Sequence, residues 1–220
     1  DHLMTPGSVS VVRVGPDLHE VLVCNNYADR VTRHLLDARA SYAVVSSKVL
    51  LHAGLDIPDG VATSHDGAWI AISNHEHHCV CLYRNRIDLD AASAPDGMLE
   101  GVAYPHGVRF TPDDGHILVA DAGAPCVQLF ARGDQGWTGA RTAARSLRVL
   151  DDESYLRGRH NPTEGGPKGI ALDPTGRVMA ITCEVRPLAF VDLAPLVPGR
   201  SAAAADAADE VERLRDLLLR

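Results

Sequence analysis

Apolar and polar positions alternate in short blocks along residues 107–130, GVRFTPDDGHILVADAGAPCVQLF. An apolar block is followed by the turn-forming sequence Pro-Asp-Asp-Gly, a β-branched apolar block, and a second turn at Ala-Gly-Ala-Pro. Blocks of this length, bounded by Gly, Pro and Asp, predict antiparallel strands joined by tight turns. One such unit cannot cover its own apolar faces, so the pattern predicts that similar units pack against it.

The same unit recurs along the chain. Residues 60–83 align with it without a gap, residues 169–191 align with one residue deleted at the first turn, and residues 11–34 form a weaker copy. Units repeated at intervals of about 45–60 residues, with turn signals in register, are typical of four-stranded propeller blades. The sequence therefore predicts an all-β fold, a β-propeller in residues 4–200 with about four blades. The repeats lie near residues 9–55, 59–104, 106–150 and 168–193.

The last blade is predicted to be incomplete, because no fourth strand follows Leu193. Residues 201–220 predict a C-terminal α-helix with Ser201 as its cap. Its apolar stripe consists of Val211, Leu214, Leu217 and Leu218. Because an open sheet edge invites association, we expect the N-terminal segment or a second chain to complete the blade, with the helix covering what remains. A third alternative is that the four blades close into a ring by themselves. Completion by a second chain would make the protein a homo-oligomer.

Composition narrows the classes of partner. The formal net charge is −8, and the Lys and Arg residues do not cluster in a basic segment. Both observations argue against a nucleic-acid partner. No apolar run approaches the roughly 20 residues of a membrane span, and no signal peptide is visible. The five cysteines form no CxxC pair and are odd in number, which predicts reduced thiols in a cytoplasmic protein. The absence of a Walker loop and of a dinucleotide fingerprint predicts no nucleotide cofactor.

Residues 118–130, LVADAGAPCVQLF, are similar to the NHL-repeat consensus. The Pro-x-Gly strand entries and the Pro-Asp-Asp-Gly turn resemble those of the SMP-30/gluconolactonase and YncE-like propellers. The resemblance extends over residues 9–193 and implies a propeller fold. In those lactonases acidic and carboxamide side chains hold a divalent cation at the mouth of the central channel. The families usually close with six or seven blades, whereas about four repeats are visible here.

The geometry of a propeller predicts which repeat positions lie close together and are therefore candidate site residues. The first strand of each blade lines the axis and the second runs antiparallel to it, so the start of the first and the end of the second share one face. The residues before the first-strand glycines are Asp59, His106 and Lys168, which we expect to be catalytic. The expected metal ligands are Asp59, Asn74, His106 and Asp121, which offer oxygen and nitrogen donors for Ca, Mg, Mn or Zn.

Asn74 and Asp121 end the second strands of their repeats, where Asn and Asp also cap turns by binding local backbone. We expect both side chains to surround a common pocket with Asp59 and His106, and turn capping is the alternative.

A connection at residues 151–167 is longer than its counterparts and falls on the same face. Connections of this length inside a compact domain are usually functional or disordered. We expect it to form part of the pocket wall. Together with positions at the ends of second strands, it supplies the expected substrate-binding residues Asn25, His75, Arg159, His160 and Glu164.

Two functions remain open from the sequence. The first is a metal-assisted hydrolase of a lactone or small ester, in which a cation polarises the carbonyl and His106 or Asp59 acts as base. The second is a non-catalytic propeller that binds a small ligand or a protein, since the fold alone does not define an activity.

Overall fold

The computed structural model describes residues 2–160 and 163–195, and these residues fold as a β-propeller segment of four blades. The first blade consists of β1 (Pro6–Arg13), β2 (Leu18–Asn25), β3 (Arg30–Asp37) and β4 (Ala43–Leu51). The second consists of β5 (Pro58–Thr63), β6 (Trp69–Asn74), β7 (Cys79–Arg84) and β8 (Gly97–Glu100). In both blades consecutive strands pair antiparallel, as the repeat pattern predicts.

The third and fourth blades follow the same order with two departures. The third consists of β9 (Pro105–Phe110), β10 (His116–Asp121), β11 (Cys126–Ala131) and β13 (Arg145–Arg148). Between β11 and β13, the strand β12 (Gly139–Thr142) leaves this sheet and pairs parallel with β8 of the second blade. A short helix α1 (Asp152–Gly158) lies in the long connection. The fourth blade contains only β14 (Gly169–Leu172), β15 (Val178–Thr182) and β16 (Ala189–Asp192), which confirms an incomplete last blade within residues 2–160 and 163–195.

Completion of the last blade by the N-terminal segment is not what the structure shows. β1 pairs with β2 inside the first blade, and β16 pairs only with β15 among the described strands. Completion by a second chain stays a prediction. The predicted helix at residues 201–220 lies outside the described residues.

The apolar core lies between adjacent blades. Every residue of β6 is buried, because its two faces pack against different neighbours. Ile70 and Ile72 join a cluster with the first blade, whereas Ala71 joins a cluster with the third. A third cluster joins the third and fourth blades. Each fully buried aliphatic side chain contributes about 1.5–3 kcal/mol, so the stacking of blades stabilises sheets that would be unstable alone.

The five cysteines are buried thiols that form no disulfide in the described part of the chain. No helix there has both the length and the apolar character required to cross a membrane.

Adjacent inner strands approach each other closely at two glycines. A Cβ atom on Gly60 would overlap the carbonyl oxygen of His106, and one on Gly107 would lie 2.6 Å from Ile170 Cγ2. The amide of Gly107 also donates to the carbonyl of Lys168 at 2.9 Å. Gly60, Gly107 and Gly169 therefore open equivalent inner strands, as predicted. At Gly60 and Gly107 the preceding residue is brought towards the next blade.

Carboxylates close the turns between first and second strands. In the fourth blade Asp173 accepts hydrogen bonds from the Thr175 hydroxyl at 2.5 Å and from the Val178 amide at 2.6 Å. In the third blade Asp114 accepts from the amides of His65 and Asp66, which belong to the second blade, at 2.8 and 2.9 Å. These turns therefore fix both the hairpins and the spacing between two blades.

The close approach at Gly60 predicts that Gly60→Ala destabilises the protein. The added methyl group must push the second and third blades apart, and overpacking of this kind costs about 1–3 kcal/mol. Gly115→Ala is the matched control, because its Cβ would find ordinary contacts of 3.4–3.6 Å with Asp113. Urea unfolding measures both variants; equal stability of Gly60→Ala and the wild-type protein would contradict the described packing.

The turn at Asp173 predicts a pH-dependent contribution to stability. Burial alone would raise the pKa of Asp173, but hydrogen bonds from Thr175 and Val178 outweigh it and lower the pKa. A carboxyl with a lowered folded-state pKa stabilises the fold above its unfolded pKa of about 3.9 and loses that contribution as the pH falls through the folded value. We expect Asp173→Ala to lower the free energy of unfolding by about 1–2 kcal/mol at neutral pH, with a smaller difference in acid below about pH 4.

The exposed Asp134, which makes no hydrogen bond to the described residues, provides the control variant Asp134→Ala. Urea unfolding at a series of pH values measures the effect. A difference between Asp173→Ala and wild type that stays constant into acid would contradict the role of the carboxylate.

Candidate functional site

Three inner strands bring the first part of the site together. Asp59, His106 and Lys168 precede the glycines of β5, β9 and β14 and lie at the same end of these strands. The Asp59 carboxylate contacts Nδ1 of His106 directly. The prediction that Asp59 and His106 lie side by side is therefore confirmed.

Asp59 is held as an ionised carboxylate. Its Oδ1 atom accepts a hydrogen bond of 2.5 Å from Nδ2 of Asn26, and its other oxygen faces His106. Burial alone would raise the pKa of Asp59, but the hydrogen bond and charge of His106 and the amide of Asn26 lower it. Both carboxylate oxygens are thus occupied, and Asp59 fixes the orientation of the His106 ring.

Glu164 lies at the centre of the site and is only 8% exposed. Its Oε1 atom is 2.8 Å from Nε2 of His75, and its Oε2 atom accepts a hydrogen bond of 2.6 Å from Nζ of Lys168. The Oε2 atom also lies 3.5 Å from Nε2 of His106. Burial alone would raise the pKa of Glu164, but the hydrogen bond from Lys168 and the charges of His106 and Lys168 lower it.

The two histidines have matching surroundings. His75 places Nδ1 3.0 Å from Glu76 Oε1 and directs Nε2 towards Glu164. His106 places Nδ1 against Asp59 and also directs Nε2 towards Glu164. The ring centroids are 4.9 Å apart. Nε2 of His106 is buried and has no hydrogen-bond partner, so one donor or acceptor position is left unused.

The unused position belongs to a set with the chemistry of a metal site. One donor atom from each of His75, His106 and Glu164 lies within 4.8 Å of the other two. Imidazole nitrogens and a carboxylate oxygen are ligands of Zn²⁺ and of other first-row divalent metals. We name these three residues the His-His-Glu cluster.

The long connection carries Glu164 into the site because its backbone is tied to the third blade. The amides of Gly165 and Gly166 donate to the carbonyl of Ala122 at 3.0 and 2.8 Å, and the Tyr155 hydroxyl donates to the carbonyl of Gly123 at 2.6 Å. A Cβ atom on Gly166 would overlap backbone oxygens of the third blade. The connection therefore supplies Glu164 to the site. The cavity beside the site is lined by residues of the inner strands and by none of the connection, so the expectation that the connection forms part of the pocket wall is not met.

Three predicted site residues instead hold loops, which corrects the expectation that they face the pocket. Asn74 accepts from the amide of Asp56 at 2.7 Å, and Asp121 accepts from the amides of Ala103 and Tyr104 at 3.1 Å. Asn25 accepts from the amide of Met4 at 2.6 Å and is fully buried. Backbone amides thus occupy the oxygens that were expected to bind a metal or the substrate. Asn74 and Asp121 cap turns, which was the alternative expectation for both residues.

Two further residues of the connection lie outside the cluster. The Arg159 guanidinium packs over the Tyr155 ring at 5.6 Å, and His160 lies 3.7 Å from Glu184 and is largely exposed. Neither residue lines the cavity beside the cluster, so their expected role in substrate binding stays a prediction.

The sequence analysis assigned no role to Asn26 and Glu76, which support Asp59 and His75. Asn26 directly follows β2, just as His75 directly follows β6. The aligned position in the repeat could therefore have indicated Asn26 as a site residue. No repeat position indicates Glu76, because its role depends on the path of the loop after β6.

A cavity of about 250 Å³ opens beside the cluster between the four inner strands. Its walls include Gly7, Ser8, Asp59, His106, Gly107, Arg109, Lys168, Gly169 and Ile170. A larger cavity of about 700 Å³ lies towards the opposite end of β1, β5 and β9, and its walls include residues 9–14 and 61–67. The smaller cavity is therefore the one that a ligand of the cluster would occupy.

Comparison with known proteins supports the fold. The NHL repeat family matches residues 102–130. No curated protein matches the chain. Among solved structures, hydrazine synthase of Kuenenia stuttgartiensis is 17% identical with a TM-score of 0.58, and the match covers 89% of this chain and 48% of the other.

Two further structures give similar values. A candidate 6-phosphogluconolactonase of Bacteroides fragilis is 13% identical with a TM-score of 0.55, covering 86% of this chain and 48% of the other. A chain of the nidogen/laminin complex is 13% identical with a TM-score of 0.55, covering 89% and 62%. The chain thus spans about half to three fifths of the structures it matches. At these identities the likeness shows the fold alone, a β-propeller.

Proposed function

We propose that the chain carries the active site of a metal-dependent hydrolase that opens a small lactone or ester, with a divalent cation bound by the His-His-Glu cluster. The observation that carries the proposal is the buried, unpartnered Nε2 atom of His106. Burying a polar atom without a partner costs about 1–3 kcal/mol, and a cation shared with His75 and Glu164 removes this cost.

The donor atoms fit a transition metal. Donors around a tetrahedral Zn²⁺ bind at about 2.0–2.2 Å, so they must converge within a few ångströms, as those of His75, His106 and Glu164 do. Two nitrogens and one carboxylate favour Zn²⁺ over Ca²⁺ or Mg²⁺, which prefer oxygen. The proposed ligand set therefore keeps His106, adds His75 and Glu164, and omits Asn74 and Asp121.

The surroundings of the ligands match those of metal-bound histidines. Histidines that bind a metal through one ring nitrogen usually donate the other N–H to a carboxylate, which fixes the tautomer and the ring orientation. Here Nδ1 of His106 faces Asp59 and Nδ1 of His75 faces Glu76. Asp59 therefore acts as a positioning residue rather than as a ligand.

The residues beside the cavity can assist hydrolysis of a carbonyl compound. A bound divalent cation supplies polarisation of a carbonyl oxygen and a lowered pKa of water. Lys168, whose side chain is 41% exposed, reaches the cavity while bound to Glu164 and can donate a hydrogen bond to a developing oxyanion. Asp59 keeps the Nδ1 proton of His106 in place.

Two likenesses suggest the substrate class. A candidate 6-phosphogluconolactonase is among the similar structures, and the SMP-30/gluconolactonase resemblance points in the same direction. Because the fold alone does not define an activity, the reaction has to be tested on the protein itself.

One observation favours the second function, a non-catalytic propeller that binds a ligand or a protein. Glu164 is already paired with Lys168 and His75, and such a network can fix the long connection to the blades without any reaction. The metal proposal and this alternative differ in metal content and in turnover.

Replacing a ligand predicts loss of the metal. We expect His75→Ala, His106→Ala and Glu164→Ala to lower Zn²⁺ affinity by more than the roughly 10–100-fold typical of a residue that supports a ligand. Asp59→Asn, which weakens the support of His106, is expected to fall within that 10–100-fold range. Zinc titration against a competing chelator, with circular dichroism to verify folding, measures all four variants.

His77→Ala is the matched control. His77 lies in the same loop as His75 but is largely exposed and faces Asp56 at 3.6 Å, so its loss should leave zinc affinity unchanged. Hydrolysis of δ-gluconolactone and 4-nitrophenyl acetate, assayed before and after EDTA and after added zinc, separates the two functions. If the protein binds zinc but hydrolyses neither substrate, the non-catalytic binding function is favoured. If zinc affinity is unchanged in all three ligand variants, the proposed metal site is refuted.

A further inference from the structure

Arg109 is a cation inside the channel that the proposed mechanism does not use. It lies on β9, three residues after His106, and contributes to the walls of both cavities between the inner strands. Its neighbours Val108 and Phe110 are buried in the apolar core between blades. The position is therefore set by strand alternation on a rigid inner strand and not by a flexible loop.

The Arg109 guanidinium has no carboxylate within 4.0 Å among residues 2–160 and 163–195. Its one hydrogen bond within that part of the chain joins Nη1 to the carbonyl of Val108 at 2.7 Å. Burial lowers its pKa, and no neighbouring charge offsets that effect. Structural arginines in such positions are normally paired, because removing a guanidinium from water is costly without an acceptor.

The other charges of the 250 Å³ cavity are already compensated. Both oxygens of Asp59 are occupied by His106 and Asn26, and the Lys168 ammonium is paired with Glu164. Arg109 is thus the cation of this cavity that has no carboxylate partner within residues 2–160 and 163–195. Its planar fork of N–H donors matches the oxygens of a carboxylate or a phosphate.

We propose that Arg109 binds an oxyanion, a carboxylate or phosphate group carried by the substrate, within the cavity beside the His-His-Glu cluster. The substrate class would then be a small acidic lactone or ester, with the anionic group held by Arg109 and the reacting carbonyl near His106. This inference rests on the proposed function for the reaction, but anion binding can be measured without any turnover.

The test is isothermal titration of the full chain at low ionic strength with two probes, sodium phosphate and sodium gluconate. We expect at least one of them to bind, and Arg109→Gln to weaken that binding by about tenfold or more, because a charge-assisted pair is lost. Arg109→Lys should have an anion affinity between those of Arg109→Gln and the wild-type protein, since lysine keeps the charge but lacks the planar pair of N–H donors. Arg145→Gln, which removes an exposed arginine from the same blade, should match wild type.

The outcomes separate this inference from the metal site. Arg109→Gln should retain wild-type zinc affinity and wild-type thermal unfolding, whereas the cluster variants lose zinc. Binding of phosphate alone points to a phosphorylated substrate, and binding of gluconate alone points to a carboxylate. The inference is overturned if neither anion binds at millimolar concentration, if Arg109→Gln binds as wild type does, or if Arg145→Gln weakens binding equally.

Discussion

The close approach of adjacent inner strands is the constraint on which the site depends. Gly60 and Gly107 leave no room for a side chain, so the residue before each glycine is pressed towards the neighbouring blade. Asp59 and His106 meet for this reason, and Lys168 follows in the next blade. The apolar clusters between blades hold this spacing, and the site is therefore a direct consequence of blade stacking.

Charge compensation is the second constraint. Glu164 is almost completely buried, and a buried carboxylate is tolerated only when it is paired and hydrogen-bonded. Counting the imidazoles as neutral, the carboxylates of Asp59, Glu76 and Glu164 and the ammonium of Lys168 sum to −2, which a divalent cation would bring to zero. Arg109, which also lines the cavity, would then leave one positive charge for an anionic ligand to balance. On the proposed function, the metal and the anion would therefore favour each other's binding.

The sequence predicted the parts of this arrangement that follow from the repeat. The turn signals and the aligned glycines indicated four blades, and the positions before Gly60 and Gly107 indicated a contact between Asp59 and His106. The same logic placed Asn74 and Asp121 at the mouth, but position alone does not reveal that backbone amides of the preceding loops take up their oxygens.

The central role of Glu164 could not be predicted from the repeat. The long connection has no counterpart in the other blades, so its path depends on tertiary contacts such as the hydrogen bonds from Gly165 and Gly166 to Ala122. Arg109 was missed for a different reason: an arginine on an apolar strand signals a special environment, but whether a partner carboxylate faces it is visible only in three dimensions.

The most direct test of the central claim is anomalous diffraction at the zinc edge from crystals of the protein grown with zinc. The account predicts one strong peak bonded to Nε2 of His75, Nε2 of His106 and the Glu164 carboxylate at about 2.0–2.2 Å, with Asp59 on Nδ1 of His106. An absence of density at the cluster, or a peak bonded instead to the oxygens of Asn74 and Asp121, would contradict it.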